Sequence, residues 1–185
     1  MQTPFRKKVN ETYIQSATTQ RRWKKTLNFL ESASPAKSGL EIGERTPLTA
    51  KMEDLFGCSF ENTNIDLDIG SIENRYDVVT AFEVIEHLFN PLHCMLEIRK
   101  ALNPNGRLYL STPMSKPNFL WSPEHFHEMS EKSLIELFKR AEFKVVRKLA
   151  IRIHGFGFYF SGVRPMLRGF FDKRWVFELA SVDQV

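Results

Sequence analysis

Short apolar segments alternate with segments of helical periodicity along most of the chain, and this alternation restricts the fold more than any other feature. The strand-like segments are residues 38–43, 59–70, 76–81, 107–112, 143–153 and 174–182, and the helix-like segments are 47–56, 91–102 and 130–141. Consecutive parallel strands need long crossover connections, which are usually helices. The sequence therefore predicts an α/β fold with a mostly parallel sheet that helices cover on both faces.

The two ends of the chain extend this central region. Residues 10–31 have the periodicity of one amphipathic helix, and a glycine-rich stretch after residue 153 leads to a short helical segment at 164–171. A length of 185 residues is typical of one domain. We expect a single domain, with a helical extension at 1–37, a core at 38–153 and a C-terminal segment with the last strand at 154–185.

Composition restricts the class of protein. The net charge of +4 comes largely from basic clusters near both ends, which can attract phosphate or an anionic membrane, but a solvated surface is the simpler interpretation. The two cysteines form no CxxC pair, which argues against a disulfide framework or a structural zinc site. The sequence has no transmembrane run of about 18 apolar residues and no secretory signal, so a cytoplasmic location is predicted.

Residues 81–89, AFEVIEHLF, place three ionisable side chains in an apolar run after a strand-like segment. If the chain becomes helical at Glu83, then Glu83, Glu86 and His87 lie at positions i, i+3 and i+4 on one face. Burial of such groups is unfavourable unless they are paired or bind something. The stretch is therefore either a polar surface stripe or part of a functional site.

Polar residues also follow the ends of other predicted strands. Glu41 and Gly43 end the first strand, Asp66 and Asp68 end the second, and residues 112–115 follow the strand at 107–112. Ligands of open parallel sheets bind at the carboxyl ends of the strands. We therefore expect one crevice at this edge, suited to a ligand with hydroxyl and ammonium groups.

Five motifs occur in a familiar order between residues 38 and 150. They are LEIG, DLD, YDVVTAFEVIEHLFNP, LNPNGRLYLSTP and SPEHFHEMSEKSLIELFKRAEFKVV. This series resembles the class I S-adenosylmethionine-dependent methyltransferases, in the branch that modifies small molecules, sugars and ubiquinone precursors. The resemblance implies a Rossmann-like αβα sandwich. The span from Gly43 to Asp77 is short for that family, so the fold is expected to lack about one αβ unit.

The resemblance implies a set of residues that bind the cofactor S-adenosylmethionine. Glu41 would hold the methionine amino group, Gly43 would approach the cofactor closely, and Phe82 would line its adenine or sulfonium end. Asp66 would bind the ribose hydroxyls, with Asp68 as a close alternative. Carboxylates complement both an ammonium group and paired hydroxyls.

The first motif departs from the family pattern. Arg45 and Pro47 stand where the family has its second and third glycines. A side chain at the first position and a fixed φ at the second are expected to narrow the pocket or reroute the loop. The altered motif therefore gives weaker sequence support for cofactor binding than the other motifs give for the fold.

The string Glu-x-x-Glu-His followed by a distant histidine resembles metal-dependent O-methyltransferases that act on small-RNA 3′ ends, and a similar string occurs in ubiquinone biosynthesis enzymes. By that resemblance Glu83, Glu86, His87 and His125 would hold Mg²⁺ or Mn²⁺. In the RNA enzymes the distant histidine precedes a Glu-aromatic-Ser/Thr string. Here His125 precedes Glu128-Met129-Ser130 with matching spacing. Without metal, His87 or His125 would be a general base.

Three functions follow from these patterns. The leading hypothesis is an S-adenosylmethionine-dependent methyltransferase that methylates a hydroxyl oxygen of a small-molecule, sugar or lipid-linked acceptor. The first alternative is a methyltransferase-like binding or scaffold domain without cofactor, because of Arg45 and Pro47. The second is a metal-dependent RNA 2′-O-methyltransferase, although a nucleic acid partner is the less favoured interpretation.

Overall fold

The computed structural model describes residues 11–154, 156–162, 165, 166 and 171–182. The helices are α1 Glu11–Gln15, α2 Ala17–Leu30, α3 Pro47–Phe56, α4 Pro91–Lys100 and α5 Glu131–Arg140. The strands are β1 Gly39–Glu41, β2 Phe60–Asn62, β3 Tyr76–Phe82, β4 Leu102–Pro113, β5 Phe143–Arg152 and β6 Lys173–Ser181. Short 3₁₀ turns lie at Ile85–His87, Asn118–Leu120 and Phe156–Phe160.

The strands form one sheet with the order β2-β1-β3-β4-β6-β5. Strands β2, β1, β3 and β4 pair in parallel, and β6 is antiparallel to both of its neighbours. It follows that β5 has the same direction as β4 and that β6 alone is reversed among the described strands. The predicted mostly parallel sheet is confirmed.

Helices cover both faces of the sheet, as predicted. On one face α2 and α3 pack their apolar residues, including Trp23, Met52 and Phe56, against β3, β4 and β6. On the other face α4 and α5 contribute Met95, Phe138 and their neighbours to a second cluster. Two separate apolar clusters on opposite faces of one sheet give the αβα sandwich.

Local capping residues determine where three helices begin. Thr46 accepts a backbone hydrogen bond at the start of α3, Asn90 does so for α4 and Ser130 for α5. Proline occupies the first position of α3 and α4, where no backbone N–H donor is needed. The predicted starts of these three helices, and the whole predicted span 47–56, are therefore confirmed.

The N-terminal prediction needs two corrections. The single helix expected at 10–31 is divided into α1 and α2 by Ser16, because the Ser16 hydroxyl caps the second helix by accepting from the Thr19 N–H at 3.2 Å. Trp23, which stands among the basic residues near the N-terminus that can attract phosphate, is only 4% exposed and packs in the core, so its ring is not a surface contact. Residue 10 lies outside the described residues.

Two strand boundaries also differ from the prediction. Residues 103–106, which separate the helix-like segment 91–102 from the strand-like segment 107–112, lie inside β4. Tyr76 pairs with Leu102 but Val78 pairs with Arg107, so these residues bulge from the ladder. Strand β2 ends at Asn62, and residues 63–75, all described, form turns and bends without a helix or strand. This irregular stretch replaces the αβ unit that the short Gly43–Asp77 span was expected to lack.

The C-terminal region is described only in part. Most of the helix predicted at 164–171 lies outside the described residues, as do the side chains of Phe156, Tyr159 and Phe170. Phe177 is fully buried against α5, whereas Phe171 is partly exposed. Within the part of the chain that the structure describes, no helix has the length and apolar character needed to cross a membrane.

Candidate active site

The carboxyl ends of the parallel strands and the start of the reversed strand meet at one edge of the sheet. Glu83 follows β3, and Thr112 lies near the end of β4. Because β6 is antiparallel, Thr112 pairs with Trp175, and Arg174 at the beginning of β6 reaches the same edge. This edge collects the ionisable side chains of the site.

Glu83 is a buried carboxylate held by two arginines. Its Oε2 accepts from Arg174 Nε at 2.7 Å and Arg22 Nη1 at 3.2 Å, and its Oε1 accepts from Ser111 Oγ at 2.9 Å. Although burial alone would raise it, the two guanidinium charges and these hydrogen bonds lower the pKa of Glu83 to about 2. The Glu83 carboxylate therefore ties α2 and β6 to the end of β3.

The prediction that Glu83 shares a helical face with Glu86 and His87 is wrong. Glu83 has φ +58, and only Ile85–His87 form a 3₁₀ turn. This left-handed residue lets the chain leave β3 sharply, while the Glu83 N–H still donates to the Ser111 carbonyl at 2.9 Å. The turn directs Glu83 toward the arginines and away from the two residues with which it was expected to bind metal.

Glu86 lies at the centre of the edge and is 1% exposed. Its Oε2 accepts from Thr112 Oγ1 at 3.2 Å, and its buried Oε1 has no hydrogen-bond partner among the described residues. Burial, reinforced by the nearby Glu83 charge, raises the pKa of Glu86 well above its ordinary value. The Glu86 carbonyl accepts the N–H groups of Phe126 and His127 at 2.9 and 3.2 Å, which docks the loop that carries His125.

His87 stands at the rim of the site in a defined tautomer. Its Nδ1 lies 2.9 Å from the Glu124 carbonyl oxygen. A carbonyl can only accept, so Nδ1 is the donor and Nε2 of the neutral ring keeps its lone pair. Removal of water from part of the ring lowers the pKa of His87 from its ordinary value, which favours this neutral form.

His125 meets His87 edge to face, with 4.8 Å between the ring centroids. Its Nδ1 lies 2.8 Å from Glu128 Oε1, and the Glu128 side chain is completely buried. Lys116 Nζ lies 3.2 Å from the same oxygen. Both imidazoles therefore have Nδ1 occupied by an oxygen acceptor.

Three of the four predicted metal ligands come together in the structure. Glu86, His87 and His125 each offer one ligand atom, and these atoms all lie within 4.8 Å of one another. Two imidazoles and a carboxylate suit a divalent cation with open positions, and the same imidazoles suit a general base. Glu83 is excluded from the group because its carboxylate is already bound by cations.

The loop after β1 is shaped by its own side chains. Glu41 is buried and accepts from Thr49 Oγ1 and from Asn62 Nδ2, which also donates to the Gly43 carbonyl at 3.3 Å. Burial raises the pKa of Glu41 in spite of these hydrogen bonds. Gly43 has φ +123, and a Cβ built on it would meet no atom within 4 Å. Gly43 therefore borders open space at the site edge.

The two substituted glycine positions leave that space free. The Arg45 guanidinium forms a salt bridge with Glu53 and reaches the Phe60 carbonyl at 3.4 Å. Pro47 is the first residue of α3, where its fixed φ matches the helix. The expected narrowing of the pocket by these residues is not seen, because one points away and the other begins a helix.

The acids expected to end the second strand lie elsewhere. Asp66 follows the end of β2 by four residues and forms a turn in which its Oδ1 accepts from the Asp68 N–H at 3.0 Å. Asp68 Oδ1 accepts from the Asn90 N–H at 2.7 Å and so connects this turn to α4. Phe82 is partly buried against the α2 and α3 side of the sheet. The predicted placement of both acids at the strand end is wrong.

Sequence reasoning missed the cations of the site and their partners. Arg22, Arg174 and Lys116 bind the buried carboxylates Glu83 and Glu128, and all three are at most 12% exposed. No local motif marks them, because they come from α2, from β6 and from the loop after β4. Only the reversed direction of β6, a non-local property, places Arg174 at the carboxyl edge of the parallel strands.

Comparisons with known proteins agree with this architecture. A family model described as a methyltransferase domain matches residues 15–148. The search of curated proteins gave no match to the chain. Many solved structures match it, and the likeness of those described below, at low sequence identity, is one of fold.

Three of these solved structures are an N-methyltransferase, an O-methyltransferase and an N1-methyltransferase. N-methyltransferase NodS from Bradyrhizobium japonicum WM9, solved with S-adenosyl-L-homocysteine, has 13% identity and a TM-score of 0.62, with 96% of this chain and 94% of that chain covered. The O-methyltransferase from the trans-AT PKS multienzyme of Brevibacillus brevis, also solved with that ligand, has 11% identity and a TM-score of 0.62, with coverage of 88% and 73%. The 1,6-didemethyltoxoflavin-N1-methyltransferase of Burkholderia thailandensis has 16% identity and a TM-score of 0.58, with coverage of 94% and 82%. With the family model spanning most of its length, the chain belongs to the methyltransferase domain family, as its sequence predicts.

Proposed function

We propose that this methyltransferase uses S-adenosylmethionine to methylate a hydroxyl oxygen of a small-molecule, sugar or lipid-linked acceptor. The observation that carries the proposal is the imidazole pair. His87 and His125 lie at the carboxyl edge of the sheet with Nδ1 occupied and Nε2 available as a proton acceptor. A hydroxyl needs such a base, since it is a weak nucleophile at neutral pH.

The chemistry requires positioning and one proton transfer. When bound, S-adenosylmethionine supplies an electrophilic methyl group. A hydroxyl held beside Nε2 of His125 or His87 would give its proton to that nitrogen, and its oxygen would take the methyl group while the methyl–sulfur bond breaks and S-adenosylhomocysteine leaves. The enzyme's main contribution is to hold the acceptor oxygen in the attacking position, which replaces a bimolecular encounter by an oriented one.

The surroundings of the histidines support an acceptor with an apolar part. Phe89 lies two residues after His87, and Phe126 directly follows His125. The centroids of the two phenylalanine rings are 4.0 Å apart. They are 67% and 43% exposed, which is unusual for large aromatic side chains at a polar edge. A lipid-linked or aromatic acceptor would cover these rings while its hydroxyl reaches the imidazoles.

The cofactor is assigned to the opposite part of the edge, around the β1 loop. In this proposal Gly43 lies against the methionine portion, Glu41 stabilises the loop and the amino group, and Phe82 lines the adenine or sulfonium end. Asp66 binds the ribose hydroxyls, with Asp68 as the alternative. The free space at Gly43 and the outward direction of Arg45 support cofactor binding by this chain.

Replacing Gly43 with alanine is expected to weaken cofactor binding by at least about 10-fold, because the new Cβ would occupy the open space and strain a backbone with positive φ. Isothermal titration calorimetry with S-adenosylhomocysteine measures the effect. Gly57→Ala is the matched control, since Gly57 also has positive φ and open surroundings but ends α3. Equal losses in both variants would contradict the assignment. No binding by the unaltered chain would instead favour a cofactor-deficient scaffold.

A second candidate function is metal-assisted methyl transfer with Mg²⁺ or Mn²⁺. The observation that favours it is the buried Glu86 carboxylate, whose Oε1 has no partner among the described residues and which offers one oxygen within 4.8 Å of a nitrogen of each imidazole. Glu86, His87 and His125 would hold the cation, which when bound would lower the pKa of an acceptor hydroxyl. A terminal ribose diol, as at an RNA 3′ end, would be one suitable acceptor.

Titration of the full chain with MnCl₂, followed by electron paramagnetic resonance of free Mn²⁺, tests this candidate. We expect one binding site in the unaltered chain and a loss of affinity of at least about 10-fold in Glu86→Gln, because a neutral amide replaces the only carboxylate ligand. Glu97→Gln is the control, since Glu97 is also a buried carboxylate but pairs with Lys100 on α4. Absence of binding, or equal binding by Glu86→Gln, would remove the metal-assisted function and leave the base mechanism.

A further inference from the structure

We propose that Glu128 is a positioning residue of this site, which fixes the tautomer and orientation of His125 so that its Nε2 keeps the lone pair in the cluster that it forms with Glu86 and His87. The inference rests on the proposed function for its purpose, but its structural content is independent of the reaction. It applies equally whether His125 is a base or a metal ligand, because both roles need the Nε2 lone pair.

The contacts of Glu128 are concentrated on one oxygen. Oε1 lies 2.8 Å from His125 Nδ1 and 3.2 Å from Lys116 Nζ, and it accepts the Ser122 N–H at 3.3 Å. Each of these partners is a donor toward a carboxylate. The Lys116 ammonium and the Ser122 backbone fix the oxygen, and the fixed oxygen in turn determines which imidazole nitrogen carries the proton.

Burial indicates that this carboxylate has a specific role. The Glu128 side chain has no exposed surface, and its Oε2 has no hydrogen-bond partner among the described residues. A buried carboxylate is unfavourable unless its contacts compensate for lost hydration, and replacing a buried ion pair by apolar residues is often neutral or stabilising. The bond to the His125 ring is what an apolar residue could not supply.

Lys116 connects this unit to the rest of the edge. Besides Glu128, its Nζ lies 4.0 Å from Asp172 Oδ1, and Arg174 Nη1 lies 3.4 Å from the same Asp172 oxygen. Arg174 in turn binds Glu83. The orientation of His125 is therefore supported by a continuous series of alternating charges that reaches the end of β3.

His87 supplies an internal comparison. Its Nδ1 is bound by the backbone carbonyl of Glu124, which a side-chain substitution does not remove. His125 depends instead on a side chain. A change at Glu128 should therefore alter the tautomer of one histidine of the pair and leave that of the other unchanged.

The test is long-range ¹H–¹⁵N NMR of the full chain with labelled histidine, recorded with a chelator so that no metal determines the tautomer. In the unaltered protein we expect His125 to be protonated at Nδ1. Glu128→Ala should shift His125 toward the Nε2-protonated tautomer, with His87 unchanged. Glu128→Gln keeps an amide oxygen that can accept, so it should retain more of the original tautomer. The backbone amide spectrum reports whether each variant is folded.

Kinetics provide the second measurement. Glu128→Ala is expected to lower kcat by about 10–100-fold, the range found when the supporting partner of a functional histidine is removed, with little change in KM. Glu136→Ala, which removes an exposed carboxylate from α5, is the control. A folded Glu128→Ala, or a folded Glu128→Gln if the alanine variant does not fold, that keeps the full Nδ1 tautomer and kcat would overturn the inference. The NMR measurement reports the tautomer of His125 even if the chain shows no methyl transfer. Failure of the inference about Glu128 can therefore be distinguished from failure of the proposed function.

Discussion

Arg174→Ala is expected to lower the free energy of unfolding by about 3–5 kcal/mol, the usual cost of removing one partner from a buried ion pair. The variant would leave the Glu83 carboxylate buried with Arg22 as its remaining cationic partner. It would also remove the electrostatic attraction of Arg174 that offsets the free-energy cost of desolvating Glu83. Urea denaturation followed by circular dichroism measures the change.

Two further variants identify the cause of that loss. Arg45→Ala removes an arginine that also pairs with a carboxylate, but Arg45 is about half exposed, so stability should change little. The double variant Glu83→Gln/Arg174→Ala should be more stable than Arg174→Ala, because a neutral amide replaces a buried charge that Arg22 alone compensates only in part. If the double variant is less stable than the single one, Glu83 is not the group that makes Arg174 necessary.

His125→Ala is expected to reduce kcat by about 10²–10⁴-fold, the range associated with loss of a general acid or base. The physical reason is that the variant removes the Nε2 acceptor supported by Glu128, while the binding surface around the β1 loop is unchanged. Transfer of a radiolabelled methyl group to a panel of hydroxyl acceptors measures the rate.

Other histidine variants complete that experiment. His93→Ala is the control, because His93 bonds the Gly70 carbonyl at 3.0 Å from α4 and lies outside the imidazole pair. His87→Ala shows which ring receives the proton, since the base should give the larger loss. Full activity in both His87→Ala and His125→Ala would contradict the base mechanism and the metal site together.

Much of the fold could be predicted because local chemistry determines it. Thr46 with Pro47, Asn90 with Pro91, and Ser130 each satisfy the free backbone groups at a helix start, and all three helices begin where these residues predict. The six strand-like segments each overlap with a strand of the sheet, although β2 ends at Asn62 and not near residue 70. The predictions failed where a single backbone conformation decided the outcome, as at Ser16 between α1 and α2.

The site was predicted less completely, and the reason is physical. Glu86, His87 and His125 were recognised because their spacing is a motif, and the structure brings them together. Glu83 belongs to the same motif, but its backbone is left-handed and its carboxylate binds arginines from distant segments. Sequence spacing contains no information on contacts between residues 61 or 91 positions apart.

The position of β6 makes the order of synthesis important for this chain. Strand β6 follows every other described strand in sequence, yet it lies between β4 and β5 in the sheet. While a ribosome is still making residues 173–181, β5 has no neighbour to pair with and Glu83 has no Arg174. Pairing of β6 with β4 and β5 therefore completes two things at once, the six-stranded sheet and the ion pair of Glu83 with Arg174 at its carboxyl edge.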